Sequence, residues 1–207
     1  MTNKINTIIF DLGGVLIDWN PLYVFNDMIP DDTRRQEFFD MVCTNRWNEQ
    51  QDAGTPLAQA TAERIAMFPD WENEITAYYA KWVEMLGEAN HGTVKILKSL
   101  IDSPDYRVYA LTNWSAETFP IAKAIERFQF LHWFEGILVS GEENLLKPQP
   151  EIYEAILSRF SIDRTKAVFI DDNYKNVLGS EAVGLKAIHF TTPELLAEEL
   201  RQLSVII

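Results

Sequence analysis

Four polar stations in this 207-residue chain carry side chains able to do chemistry: Asp11, Thr112–Asn113, Lys147 and Asp171–Asp172. Each follows a strand-like run or lies in a strand-to-helix loop. Parallel strands of one sheet bring their carboxyl ends to one edge, so the four stations can meet in a single crevice. Adjacent carboxylates at 171 and 172 facing a third at 11 repel one another unless a cation sits between them. Mg²⁺ suits such a set, because it prefers oxygen ligands and keeps several waters of its own. Lys147 is a point charge of the kind that balances a phosphoryl group. Thr112 offers a hydroxyl, and the loop and helix start after it offer backbone N–H groups to phosphate oxygens.

The elements that must position these groups read as strands alternating with helices. Thr7-Ile8-Ile9-Phe10 is an uninterrupted apolar run suited to a strand buried on both faces, and it stops on Asp11. Gly13 and Gly14 then allow a tight turn and close approach of a ligand to the backbone. The next strand-like run is Tyr106–Leu111, and a structureless connection of that length would be exceptional. The interval reads instead as helices, clearest in Trp71, Ile75, Tyr78, Tyr79, Trp82, Val83 and Leu86, which share one face at helical period. Residues 45–54 read as a polar loop closed by Gly54. Residues 17–89 are therefore expected to form an inserted all-helical cap, with 1–16 and 90–207 as the α/β core. In that core a helix over 92–103 precedes the strand 106–111. Pro120 marks a further helix at its first turn or a kink, Gly136–Val139 reads as a short strand, and a helix runs from Pro150 to Phe160. Ala167–Ile170 is a second buried-type strand that ends on acid. Gly184 closes the following helix, Leu185–Phe190 is the last strand, and Thr192 with Pro193 opens a helix to about 203.

Composition sets the outer limits. The hydrophobic fraction of 47%, with 12 Phe, 7 Tyr and 6 Trp, fits a folded chain long enough for a sizeable core. No run approaches the ~18 apolar residues of a membrane span. The stretch Met1–Asn6 leads straight into the first strand, leaving no room for a signal peptide. A single cysteine, Cys43, excludes an intrachain disulfide and fits a reducing cytoplasm. Eighteen basic against 31 acidic residues give a net charge of −13, which argues against nucleic acid or anionic lipid as a partner. Binding of a phosphate would need positive charge supplied locally.

Phe10-Asp11-Leu12-Gly13-Gly14-Val15, Leu111-Thr112-Asn113, Lys147-Pro148 and Ile170-Asp171-Asp172-Asn173 together resemble the four motifs of the haloacid dehalogenase superfamily. They occur in that family's order, and the helical insertion lies where its C1-type cap lies. The Asp-Leu-Gly-Gly-Val form with Asp-Asp-Asn is similar to small bacterial sugar-phosphate phosphatases of the α-glucose-1-phosphatase type. The resemblance implies a Rossmann-like core and hydrolysis of a small phosphorylated metabolite. It implies Asp11 as nucleophile, forming an aspartyl-phosphate, with Mg²⁺ held by Asp11, the Gly13 carbonyl and Asp172, and Asp171 as ligand or support. Thr112 and the Asn113 backbone would bind phosphoryl oxygens, and Lys147 would neutralise charge on Asp11 and substrate.

One departure stands out. Most phosphatases of the family carry a second Asp two residues after the nucleophile as general acid and base, where this chain has Gly13. General acid–base help is worth roughly 10²–10⁴-fold, so its loss predicts a strong preference for easily expelled leaving groups, unless Asp18 reaches in from the start of the cap. A 2-haloacid dehalogenase needs neither that acid nor a metal, and a catalytically lapsed phospho-ligand-binding protein needs no turnover. The Asp171–Asp172 pair favours phosphoryl chemistry over both. His91, His132 and His189 have no paired spacing and read as structural, and Cys43 reads as core. Trp19, Trp47 and Trp114 are candidates for pocket walls. The cap loop carries no readable substrate code.

Overall fold

The computed structural model describes residues 4–207; Met1–Asn3, the start of the amino-terminal stretch read above, lie outside them. Five parallel strands form the central sheet: β1 (Thr7–Phe10), β4 (Arg107–Thr112), β5 (Gly136–Val139), β6 (Ala167–Asp171) and β7 (Ala187–His189), in the spatial order β5-β4-β1-β6-β7. The strand ending on Asp11 is thus central, with Thr7 opposite Arg107 on one side and Ala167 on the other. Its run of apolar residues follows from burial on both faces. Ile8 and Phe10 join Val108, Ala110, Val168 and Ile170 in one core. Ile9 joins Tyr109, Leu111 and Phe169 in the other. Period-two alternation therefore divides one apolar strand between two layers.

Helices cover both faces: α6 (His91–Ile101), α7 (Phe119–Lys123), α8 (Ser140–Glu143), α9 (Pro150–Arg159), α10 (Tyr174–Ala182) and α11 (Pro193–Gln202). The local signals act as expected. Pro120 and Pro150 sit in first turns, the Thr192 hydroxyl accepts the Leu195 N–H, and Gly184 takes φ +77 after α10.

Between β1 and α6 lie α1 (Leu22–Met28), α2 (Asp32–Glu37), α3 (Asn45–Asp52), α4 (Leu57–Met67) and α5 (Glu72–Ala80). They enclose a separate core in which Phe25 packs on Phe38 and Tyr78, and Phe38 on Trp71. Three details differ from the sequence reading. The helices are flanked by a short antiparallel ribbon, β2 (Ile17–Trp19) against β3 (Leu86–Ala89), so the insertion begins and ends in strand. The apolar face over 71–86 does not belong to one helix. The α-helix stops at Ala80, and a 3₁₀ turn over Trp82–Met85 follows. In that geometry residues i and i+3 align, which keeps Trp82 and Met85 on the buried side. Finally, the polar stretch expected as a loop is α3. The Thr44 hydroxyl caps it by accepting the Trp47 N–H at 3.1 Å, and Trp47 with Gln51 forms its buried stripe.

Candidate active site

The four stations meet at the carboxyl edge of the sheet. Asp11 follows β1, its backbone N–H still donating to Ile170 O at 2.8 Å, so the sheet ladder sets its position. Its Oδ1 accepts the Leu12 N–H at 2.7 Å and lies 2.8 Å from Lys147 Nζ; Oδ2 carries neither contact. The ammonium of Lys147, 4% exposed, also lies 2.7 Å from Asp171 Oδ2 and 3.1 Å from Leu111 O. Three N–H donors thus meet three acceptors. Asp171 is fully buried at the end of β6. It accepts from the Asn173 N–H at 2.8 Å and from Asn176 Nδ2 at 3.0 and 3.1 Å. With both oxygens engaged, Asp171 holds the lysine and shapes the loop; Asp172 is the exposed member of the pair.

The Asn113 side chain has a task of its own, beside the one expected of its backbone. Its side chain donates to Lys147 O at 3.0 Å and accepts the Lys147 N–H at 2.9 Å, tying the two loops together. Thr112 ends β4, 1% exposed, paired with Val139.

One oxygen each of Asp11, Asp171 and Asp172 lie within 4.8 Å of one another. Three carboxylates stand against one ammonium, which pairs with Asp11 and Asp171 only; this leaves a negative excess of all-oxygen donors, the donor chemistry that fits Mg²⁺. The electrostatics agree. Burial pushes the Asp11 carboxyl well above the usual carboxylate range; Lys147 opposes this, and Asp171 and Asp172 add to it. Burial, then Asp171, raises Asp172 as well. For Lys147 burial pulls downward, but the carboxylates of Asp11 and Asp171 outweigh it and hold the ammonium charged.

The two glycines after Asp11 are not equivalent. Gly14 has φ +73, and a Cβ there would lie 2.2 Å from Asp172 Oδ2, so only glycine lets that carboxylate rest against the turn. Gly13 lies outside the left-handed region, and a Cβ there would meet no heavy atom within 4 Å. The position of the absent acid therefore has room for a side chain.

A cavity of about 270 Å³ opens beside this cluster. Gly13, Gly14, Asp172, Asn113, Trp114 and Ser115 form its sheet-side wall; Trp19, Asn48, Asp52, Tyr79 and Trp82 face them from the insertion. Trp19 and Trp114 are wall residues, as the sequence suggested. Trp47 is not: it is 5% exposed, with its ring centroid 5.2 Å from that of Tyr78 and 5.5 Å from that of Tyr79. Asp18 turns away, accepting the Tyr23 hydroxyl and lying against Gly87. His132 and His189 bond backbone carbonyls of Lys123 and Asp172. Cys43 is buried, and burial pushes its thiol up to about 12. Asn48, Asp52 and Tyr79 escaped the sequence reading. The signal for them was the Asn48–Asp52 spacing of four, which their hydrogen bond at 3.1 Å uses.

Residues 5–184 match the family model of the haloacid dehalogenase-like hydrolases. A sesquiterpene phosphatase of Aspergillus oryzae is 25% identical over 98% of each chain. A glyceraldehyde 3-phosphate phosphatase of Pyrococcus abyssi is 25% identical over 90% of this chain and 81% of its own. Among solved structures, the magnesium complex of a haloacid dehalogenase family enzyme from Bacteroides thetaiotaomicron superimposes with a TM-score of 0.75, at 22% identity, over 96% of this chain and 100% of that one. The chain belongs to the haloacid dehalogenase-like hydrolases.

Proposed function

We propose that this member of the family is a Mg²⁺-dependent phosphatase that hydrolyses a small phosphorylated metabolite through an aspartyl-phosphate on Asp11. The observation that carries the reading is the convergence of Asp11, Asp171 and Asp172 around a single buried lysine at the edge of a cavity. Carboxylate attack on a carbon–halogen bond needs no such excess of acid, whereas a phosphoryl group brings negative charge that a bound cation must offset. Asp11, the Gly13 carbonyl and Asp172 are the groups we assign to the ion, which supplies charge neutralisation at the phosphoryl oxygens. Residues 17–89 act as the cap that selects the substrate.

In this scheme Asp11 Oδ2 attacks phosphorus while Oδ1 stays fixed by Leu12 and Lys147. Lys147 balances charge on the nucleophile, and the Asn113 backbone N–H meets the phosphoryl oxygens. Thr112, at the end of β4, adds its hydroxyl to the same anion cradle. Positioning does most of the work.

The cavity is at the small end of ligand pockets. Its aromatic rings beside Asn48, Asp52, Ser115 and Thr118 suit the apolar face and hydroxyls of a sugar phosphate. A prenyl-type phosphate is the second reading, favoured by Trp19, Tyr79, Trp82 and Trp114 in the same wall and by the fungal relative's name.

The test is phosphate release from a panel of sugar, prenyl and aryl phosphates with Mg²⁺ and with chelator, run beside halide release from 2-haloacids. Metal-dependent phosphate release that Asp11→Asn abolishes is expected. Halide release that survives chelation would overturn the reading.

A further inference from the structure

We propose that Asp52, carried into the cavity by α3, is the general acid and base that the Gly13 position does not supply. The proposal rests on the phosphatase reading above.

Placement comes first. Asp52 ends α3 and lines the same cavity as Gly13, Asn113 and Asp172, on the wall opposite them. The Ser115 backbone N–H, two residues after Asn113, is near enough to its carboxyl to oppose the rise in its titration. Asn48 Nδ2 donates to its other side at 3.1 Å. The backbone is held too: Ser140 Oγ donates to Asp52 O at 2.5 Å, and that same Oγ accepts the Trp114 N–H at 2.9 Å. Two residues on, Gly54 has φ +99, and a Cβ there would lie 2.1 Å from Asn144 Oδ1. The end of α3 is therefore clasped against the sheet domain by a joint that admits no side chain. A residue that merely decorated a solvated helix end would need none of this.

Electrostatics suit the role. Burial, then Glu49 on the same helix, raises the carboxyl to about 7, while the Ser115 N–H and Lys147 oppose the rise. The other ionisable groups facing this corner are Tyr78 and Tyr79 of α5, both pushed far upward, first by burial. Glu117, which accepts the Leu57 N–H, and Asp172 across the cavity complete the set. A carboxyl that titrates near neutrality can give a proton and take one back.

The step balances. As Asp11 Oδ2 forms its bond to phosphorus, the bond from phosphorus to the ester oxygen breaks, and the Asp52 proton passes to that oxygen, releasing an alcohol. The resulting carboxylate then accepts a proton from the water that attacks the aspartyl-phosphate. The P–O bond to Asp11 breaks, inorganic phosphate leaves, and Asp52 is again protonated.

The experiment compares Asp52→Asn with the wild type on benzyl phosphate and p-nitrophenyl phosphate, in Mg²⁺, by single-turnover release of benzyl alcohol or p-nitrophenol, which reads the first step alone. The two esters are close in size, but only the alkoxide needs a proton to leave. Asparagine keeps an acceptor for the Ser115 N–H and loses only the proton. The expected result is a loss of roughly 10²-fold or more on benzyl phosphate and a change under about threefold on p-nitrophenyl phosphate. Equal losses on both esters, or none on either, would overturn the proposal and leave the phosphatase reading standing. Release from neither ester by the wild type would remove that reading and the proposal with it. Should the variant not fold, the wild-type rate ratio of the two esters across pH decides. Benzyl phosphate must fall behind as pH rises through about 7, and a flat ratio refutes the role.

Discussion

The two walls of the cavity are built on opposite plans. On the sheet side the central pair is tightly tied: Lys147 places three N–H groups on Asp11, Asp171 and Leu111, and Asp171 accepts from three residues. On the insertion side, aromatic rings meet a few hydrogen bonds, such as Tyr79 Oη facing Asn48 Oδ1 at 3.0 Å and Gln51 Oε1 at 2.9 Å. The first plan tolerates almost no change and suits a step whose geometry never varies. The second can be altered residue by residue and suits selection among substrates. Shared chemistry with varied specificity follows from that division.

Substitutions can break this contrast, the most damaging first. Asp11→Asn should lower phosphate release by roughly 10⁴-fold or more and abolish the acid-stable phosphoenzyme trapped by rapid quench. Lys147→Met strands two buried carboxylates. Losing one partner of a buried pair costs ~3–5 kcal/mol, to be read in urea melts, and added Mg²⁺ should recover part of it by binding the folded state. Gly14→Ala should weaken Mg²⁺ binding by about 10–100-fold in calorimetric titration, because its Cβ displaces Asp172. Gly13→Ala, with open space around its Cβ, should leave that affinity within about twofold by the same reasoning. On the other wall, Tyr79→Phe removes a hydroxyl worth about 1 kcal/mol and should raise KM a few-fold with kcat held.

A last effect concerns pH and stability. Asp52 titrates at 3.8 when unperturbed and at about 7 in the folded chain, so between those values the folded state binds the extra proton. Stability then declines as pH rises through that window, and the full penalty stands above about 7. Asp52→Asn should flatten the decline and melt higher than the wild type at pH 8, a difference of a few degrees by differential scanning calorimetry.

Much of the first wall is legible in the amino-acid sequence alone. Strands buried on both faces advertise themselves as unbroken apolar runs, so Asp11 and Asp171 can be placed at strand ends and expected to converge. The second wall is opaque for a physical reason. α3 buries only Trp47 and Gln51, and its remaining positions are polar, so it has almost no apolar period to read. Its cap at Thr44 and the Asn48–Asp52 spacing of four are its local marks. Missing that helix means missing Asp52, which looks like any surface aspartate until the Gly54 turn and Ser140 bring it to the cavity. The break after Ala80 is hidden because a 3₁₀ turn preserves the sidedness of the helix before it.

The sheet order also bears on how the chain is made. β1 is synthesised first, yet its two neighbours arrive 100 and 160 residues later in the register. The helices of the insertion, with a core of their own, leave the ribosome in between. The strand that ends at Asp11 must therefore wait, apolar and with both edges open, while a later-made unit has already found its partners. Long-range parallel pairing is slow to form, and open strand edges invite association. A chain ending before Ala167 would keep β1 open on the β6 side for good, so nascent chains stalled there should be retained by chaperones until the last two strands of the sheet are delivered.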